Sequence, residues 1–396
     1  MDFDIIVIGA GAVGLALAAE LAPTGELLLL EREDHWGRGI SSRNSEVVHG
    51  GIYYAPGSLK ARLCVAGRRR IEAWAAEGRF AYRPVGKFIV ATTDDERPEL
   101  TALLETGRAN GVEGLRAVSL DELREAEPAV QAVAALWSPS TGILDSHGFL
   151  RFLWERAQAG GAQLALRSRV VGLAPVPGGW EVEVEEGPPP DGWEDPPGPL
   201  PRRTPAAGPR QTVSARLVLN AAGLQADQIA ALAGVDVEGQ GLRQHWSRGE
   251  YFAPRPGAGP PLRHLVYPVP PRAGEGHLGI HVTVDLAGAV RFGPSAAWPD
   301  PPESRREDYR QDLSLRDEFA RGLARYLPGV RAADLEPAGV GLRPRLRPAR
   351  DFVIRAESGP GLEGLVTLLG LESPGLTSAP AIATHVAGLL RERLGA

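Results

Sequence analysis

Residues 4–31 constrain this chain more tightly than any other stretch of it. Asp4-Ile5-Ile6-Val7-Ile8 is a continuous run of β-branched residues after the aspartate, the signature of a strand buried on both faces of a parallel sheet. It enters Gly9-Ala10-Gly11-Ala12-Val13-Gly14, and Leu15 to Leu21 then reads as a small-residue helix stopped by Pro23-Thr24-Gly25. Leu27 to Leu30 makes a second buried strand closed by Glu31. Strand, glycine turn, helix, strand and acid in this order form a βαβ dinucleotide-binding fingerprint. Gly9 supplies the tight turn, Gly11 the close backbone approach to a pyrophosphate, and Gly14 the helix–strand packing, with the pyrophosphate charge resting on the helix N-terminus. Glu31, 22 residues after Gly9, is placed to accept from ribose hydroxyls and to repel a 2′-phosphate, which disfavours NADP.

The 396 residues suffice for two or three compact units. A formal charge of −6 removes the electrostatic basis for holding nucleic acid or an anionic membrane. Cys64 is the single cysteine, which excludes an intrachain disulfide and a cysteine-rich metal site, fits a reducing compartment and leaves no metal to expect. No apolar run reaches the roughly 18 residues of a membrane span, and Met1-Asp2-Phe3-Asp4 lacks a basic leader, so the expectation is a cytoplasmic protein, with peripheral membrane contact still compatible. Of 43 basic residues only Lys60 and Lys87 are lysine, a bias read as coding preference with no chemistry attached.

Helical patterns follow at 59–78, 96–110, 120–127, 147–160, 304–327 and 378–394, and strand-like runs at 87–92, 180–185, 216–220, 264–269, 278–284, 352–355 and 365–369. Gly187 to Thr212 holds nine prolines and no apolar periodicity, and reads as an insertion in a sheet connection. Two further segments match the first. Leu217-Val218-Leu219-Asn220-Ala221-Ala222-Gly223 is a buried strand running into a glycine. Leu365 to Leu369 leads through Gly370-Leu371-Glu372-Ser373-Pro374-Gly375-Leu376-Thr377 into a C-terminal helix. A dinucleotide site that draws on residues two hundred and more apart suits FAD, the longer ligand, and a helix start can stabilise the negative charge that reduction places on a flavin ring.

Ser41-Ser42-Arg43-Asn44-Ser45 with His49-Gly50-Gly51-Ile52-Tyr53-Tyr54-Ala55-Pro56-Gly57-Ser58-Leu59-Lys60-Ala61 resembles the corresponding segment of L-2-hydroxyglutarate dehydrogenases and oxidases, within the D-amino-acid-oxidase-like FAD enzymes. The resemblance continues through Thr141-Gly142-Ile143-Leu144-Asp145, Arg248-Gly249-Glu250-Tyr251, Tyr267-Pro268-Val269-Pro270, His281-Val282-Thr283, Gly341-Leu342-Arg343-Pro344 and the 372–377 segment. The serine-arginine-serine and His-Gly-Gly pattern is also similar to FAD-linked glycerol-3-phosphate dehydrogenases, and Gly-Leu-Arg-Pro to glycine and D-amino-acid oxidases.

The resemblance implies FAD contacts from Gly9, Gly11, Gly14, Glu31 and Arg32 near the first turn, and from Ser42, Arg43, Asn44, His49 and Gly50 in the next segment. It adds Val170, Ala222 and Gly223, then Arg343, and finally Gly370, Ser373, Pro374, Gly375, Leu376 and Thr377. Oxidising a 2-hydroxy acid needs a neutral base beside the carbon whose hydride leaves for flavin N5, and histidine meets that need. Of eight histidines the resemblance brings His49 and His281 to the flavin. Arg343 stands where amino-acid oxidases grip the substrate carboxylate, for which a guanidinium fork is suited. His49, His281 and Arg343 are therefore the expected catalytic set, with Arg43, Tyr53, Arg248 and Tyr267 expected at the substrate.

The fold implied is α/β, a Rossmann-type FAD domain from 1–85, 140–245 and 335–396 joined to a mixed-sheet substrate domain from 86–139 and 246–334. The implied activity is oxidation of a small 2-hydroxy acid, L-2-hydroxyglutarate or an analogue, with oxygen, a quinone or another carrier as acceptor. An amine or amino-acid oxidase, a glycerol-3-phosphate dehydrogenase-like flavoenzyme and a non-catalytic dinucleotide module stand as alternatives.

Overall fold

A computed structural model describes residues 1–187, 208–270, 279–298, 307–348 and 350–394. Its first eight-stranded sheet is built outward from Phe3–Ile8, whose Ile6 and Val7 are fully buried as the apolar run requires. Phe3–Ile8 pairs in parallel with Leu27–Leu30 on one side and with Arg210–Asn220 on the other. Gln163–Ala165 extends the parallel core beyond Leu27–Leu30, and Leu365–Leu369 joins Asn220 at the far side. The strand Arg210–Asn220 forks: residues 210–215 pair antiparallel with Gly179–Glu186, which turns back onto Ser168–Val176. Helices Ala12–Leu21, Ser146–Ala159 and Gly375–Leu394 cover one face, filling it with leucine, alanine and phenylalanine, and Leu59–Ala76 packs against the last of them. A second apolar cluster around Trp180, Val182 and Ile229 covers the other face.

The second sheet is mixed, in the order Leu335–Leu346, Gln244–Pro254, Val290–Phe292, Val282–Val284, Leu265–Pro268, Lys87–Ala91, Ala134–Ser138 and Arg116–Val118. Only Leu265–Pro268 and Lys87–Ala91 run parallel within it. A short three-stranded sheet of Val47–Val48, Gly142–Leu144 and Tyr82–Arg83 completes the strands.

Four expectations change. The boundary drawn at 335 assigns Leu335–Leu346 to the first unit, yet this strand lies in the second sheet, in register with Gln244–Pro254 from Gln244↔Leu346 to Pro254↔Leu335. The helix expected over 304–327 is Arg316–Ala324, because residues 307–312 run without helical bonding; residues 304–306 lie outside the described residues. The insertion is shorter at its end than expected, since Arg210, Gln211 and Thr212 are paired strand residues; residues 188–207, like His277, lie outside the described residues. The C-terminal helix starts at Gly375, three residues before the expected 378, which brings the Gly375-Leu376-Thr377 amides to its positive end. No helix among the described residues is long and apolar enough to cross a membrane, and no metal-binding cluster of His, Cys, Asp and Glu occurs among them.

Candidate active site

A long cavity runs from the carboxyl end of the first sheet to the face of the second. Its start is the glycine turn. Gly9 has φ +99°, and a Cβ there would stand 2.6 Å from the Ala221 carbonyl oxygen; one at Gly14 would stand 1.8 Å from the Gly9 carbonyl oxygen. Gly14 therefore serves by packing the helix against the turn and does not itself line the cavity. Gly11 caps the helix Ala12–Leu21 without a side chain of its own to cap it, so the helix start presents backbone donors of the kind a pyrophosphate takes. Glu31 is 9% exposed and its two oxygens accept from the Ala10 amide at 2.7 Å and the Glu33 amide at 3.0 Å. Burial raises its carboxyl above the ordinary range. The same carboxylate thus faces the cavity and pins the turn beside it.

Arg32, Arg43, Asn44, Val170, Ala222 and Gly223 line the cavity. Asn44 fixes its own loop, donating to the Ser41 carbonyl at 2.7 Å and accepting from the Glu46 amide at 2.7 Å. Ser41, which the sequence reading passed over, accepts from the Ala12 amide at 2.9 Å and lines the cavity; Ser42 is exposed and donates to the Arg38 carbonyl at 2.8 Å. The adjacency of the two serines gave no signal of which one points inward. Gly50 is buried against Ser138, Ser140 and Thr141, outside the cavity, and Gly370 (φ +66°) donates its amide to Gln244 Oε1 at 2.7 Å.

At the other end Ser373, Pro374, Gly375, Leu376 and Thr377 line the cavity. Thr377 ties this segment to His49: its Oγ1 accepts from the His49 amide at 3.0 Å and donates to the Val47 carbonyl at 3.3 Å. His49 Nε2 and Ser373 Oγ are 3.2 Å apart, and no partner among the described residues reaches the buried His49 Nδ1. His281, 5% exposed, directs Nδ1 at the Gly279 carbonyl at 3.0 Å. That nitrogen donates, so Nε2 carries the lone pair. The His281 ring stacks on Tyr267 with centroids 3.7 Å apart. Burial, reinforced by the nearby cations Lys87 and Arg343, pushes both imidazoles down to about 3. Two neutral histidines therefore meet at one end of the cavity, with Arg343 lining the same wall from the strand Leu335–Leu346.

Two expected substrate residues lie elsewhere. Arg248 pairs with Glu250 at 2.9 Å and donates to the carbonyls of Asp308 and Arg310, which commits its guanidinium to holding the 307–312 segment. Tyr53 stands behind the wall, stacked on Tyr267 at 6.5 Å with its hydroxyl unpartnered. The 307–312 segment is a strap that the sequence reading missed. Glu307 binds Arg32 and Gln225, both cavity residues, and the Arg43 guanidinium lies 3.7 Å from the Tyr309 ring centre. Lys87 was also missed, and it sits 1% exposed beneath the tyrosine pair.

The glycine cradle, the cavity-lining Glu31 carboxylate and the helix start at Gly375 all fit FAD. Comparison with known proteins agrees. Residues 4–389 match the family model described as FAD dependent oxidoreductase. The L-2-hydroxyglutarate dehydrogenase of Arabidopsis thaliana mitochondria is 38% identical over 413 residues, covering 97% of this chain and 82% of that protein. The L-2-hydroxyglutarate dehydrogenase of Escherichia coli K12 is 31% identical, over 80% of this chain and 68% of that protein. Among solved structures, L-α-glycerophosphate oxidase from Mycoplasma pneumoniae with FAD bound superposes with a TM-score of 0.81 at 25% identity, covering 98% of this chain and 94% of that one. Glycine oxidase from Geobacillus kaustophilus shares the fold, with a TM-score of 0.76 at 19% identity over 98% and 95% of the two chains. The cradle, the family match and these likenesses together make the chain a member of the FAD-dependent oxidoreductase family.

Proposed function

We propose that this enzyme oxidises L-2-hydroxyglutarate, or a close 2-hydroxydicarboxylate analogue, to the 2-oxo acid. The observation that carries the reading is the pairing of neutral imidazoles with a guanidinium at one end of the cavity: His281 with Nε2 unprotonated, His49 beside Ser373, and Arg343 on the same wall. Arg343 grips the 1-carboxylate and turns C2 toward the histidines. His281 Nε2 accepts the hydroxyl proton, and His49 orients the hydroxyl from the other side. Bound FAD would supply the acceptor for the hydride leaving C2. The amides of Gly375, Leu376 and Thr377 at the helix start offset negative charge that builds at that end of the cavity.

In this reading the first sheet with its helices carries FAD and the second sheet carries the substrate. Cys64, buried and donating to the His49 carbonyl at 3.3 Å, supports a reducing, cytoplasmic setting, where that thiol persists.

The test is anaerobic mixing of the yellow enzyme with L- and D-2-hydroxyglutarate, L-2-hydroxybutyrate, glycerol 3-phosphate, glycine and D-amino acids, following loss of the oxidised flavin band. Reduction by the L-2-hydroxy acids alone is expected. Faster reduction by glycerol 3-phosphate would favour the activity named for the Mycoplasma relative, and reduction by amino acids would refute the hydroxyl-base mechanism. Reoxidation of the same samples with oxygen and with a soluble quinone identifies the acceptor class.

A further inference from the structure

Lysine is scarce in this chain, two residues against 41 arginines, and both lysines stand near the end of the cavity where His49 and Arg343 meet. Lys60 pairs with Glu372 at 3.0 Å, in the loop before the C-terminal helix. Lys87 has no such counter-ion: among the described residues no Asp or Glu pairs with it. It opens the strand Lys87–Ala91, facing Leu265 on one side and Ser138 on the other, and is 1% exposed. Its Nζ lies 4.5 Å from the ring centres of both Tyr53 and Tyr267. Those two hydroxyls and His49 Nδ1 are buried without a hydrogen-bond partner among the described residues. Burying an ammonium away from any carboxylate is costly, and aromatic faces offset only part of that cost.

Lys87 and Arg343 are thus two cations near neutral histidines, and among the described residues no Asp or Glu forms an ion pair with either one. Two uncompensated positive charges call for a dianion. We propose that Lys87 is a specificity-determining residue for the second carboxylate of a dicarboxylic substrate, acting as a positioning residue through Tyr267, whose ring lines the cavity, and through unscreened attraction in the buried site. This inference rests on the proposed 2-hydroxy-acid oxidation and adds the group that tells a dicarboxylate from a monocarboxylate of the same length.

The surroundings make the device pH-dependent. Burial pushes Lys87 down to about 7. The other titratable groups facing it stay fixed across the neutral range. Cys64, on the helix Leu59–Ala76, is pushed up to about 12; Tyr53 and Tyr267 lie well above their ordinary value; His49 and His281 lie near 3. The cation is present below about pH 7 and lost above it, while both carboxylates of a dicarboxylate stay ionised throughout.

The experiment titrates oxidised holoenzyme with glutarate and with butyrate, which lack the reacting hydroxyl, following perturbation of the flavin absorbance. In wild type, glutarate affinity is expected to fall as pH rises above about 7, by up to tenfold per unit, while butyrate affinity stays level. In Lys87→Met at pH 6.5, glutarate affinity is expected to fall 10- to 100-fold and butyrate affinity less than threefold. A level glutarate profile in wild type, or equal losses for both ligands in a flavin-retaining Lys87→Met, overturns the proposal. The wild-type profile decides the matter if the variant does not fold. Glutarate discrimination in an enzyme that L-2-hydroxyglutarate fails to reduce would uphold the charge assignment while sinking the substrate reading.

Discussion

Replacing Glu31 by alanine separates two roles that one carboxylate carries. From sequence alone the change is expected to remove only hydrogen bonds to a ribose, weakening FAD retention with the fold intact. In the structure the same carboxylate also accepts the Ala10 amide at 2.7 Å and the Glu33 amide at 3.0 Å, in a site 9% exposed. A hydrogen bond to a charged acceptor contributes about 1.5–3 kcal/mol net, and two buried amides lose theirs together. Glu31→Ala is therefore expected to destabilise the apoprotein by about 3–6 kcal/mol, a large share of the 5–15 kcal/mol typical of a folded domain. FAD affinity falls as well, by roughly 10- to 100-fold, at about 1.4 kcal/mol per decade. Glu31→Gln, which keeps one carbonyl acceptor for the turn, is expected to recover about half of the apoprotein loss. The assay is urea unfolding of FAD-stripped protein followed by tryptophan fluorescence, alongside FAD titration by quenching of its emission. An apoprotein midpoint unchanged in Glu31→Ala, with FAD affinity lost, would refute the structural role and return Glu31 to a ribose ligand only.

His281→Asn is expected to slow flavin reduction at saturating substrate by roughly 10²–10⁴-fold with little change in substrate affinity, read by stopped flow; an unchanged rate moves the base to His49. Arg343→Met should weaken substrate binding by one to two orders of magnitude, at about 1.4 kcal/mol each, and the same traces read the saturation constant. Because both imidazoles lie near 3, the saturated reduction rate should stay level as pH falls from 8 to 5, and only protonation far below an ordinary histidine's range would abolish it. A half-loss of rate near pH 6.5 would contradict this. Gly67→Ala places a Cβ 2.1 Å from the Thr377 carbonyl oxygen, so the C-terminal helix must shift; an overpacking loss of about 1–3 kcal/mol together with faster FAD release is expected in thermal melts.

The features legible in the sequence are those encoded locally. The glycine turn, Glu31 and the two later strand-to-glycine segments each carry their meaning within a few residues, and all meet at the cavity. The strands Gln244–Pro254 and Leu335–Leu346 went unread because Gly249, Arg248, Gly341 and Arg343 break their alternation. Their pairing with each other supplies the regularity that neither has alone. Tyr53 and Arg248 were placed at the substrate by resemblance, yet one is held behind Tyr267 and the other by Glu250 and the 308–310 backbone, contacts made across the sequence. Lys87 did leave a signal. A lysine in an apolar strand of an arginine-rich chain stands out as a position to examine, and reading the scarcity of lysine as coding preference alone hid it.

The fastening of His49 to Thr377 also bears on how the protein is made. His49 leaves the ribosome well before Thr377, and its amide waits for the Oγ1 of a threonine synthesised 328 residues later. The glycine cradle faces the same delay, because its cavity is walled by Gly375 and Leu376 as well as by Gly11. The full cavity wall therefore closes only after Thr377 has been synthesised, and the earlier βαβ unit must stay folded or soluble without that wall until then.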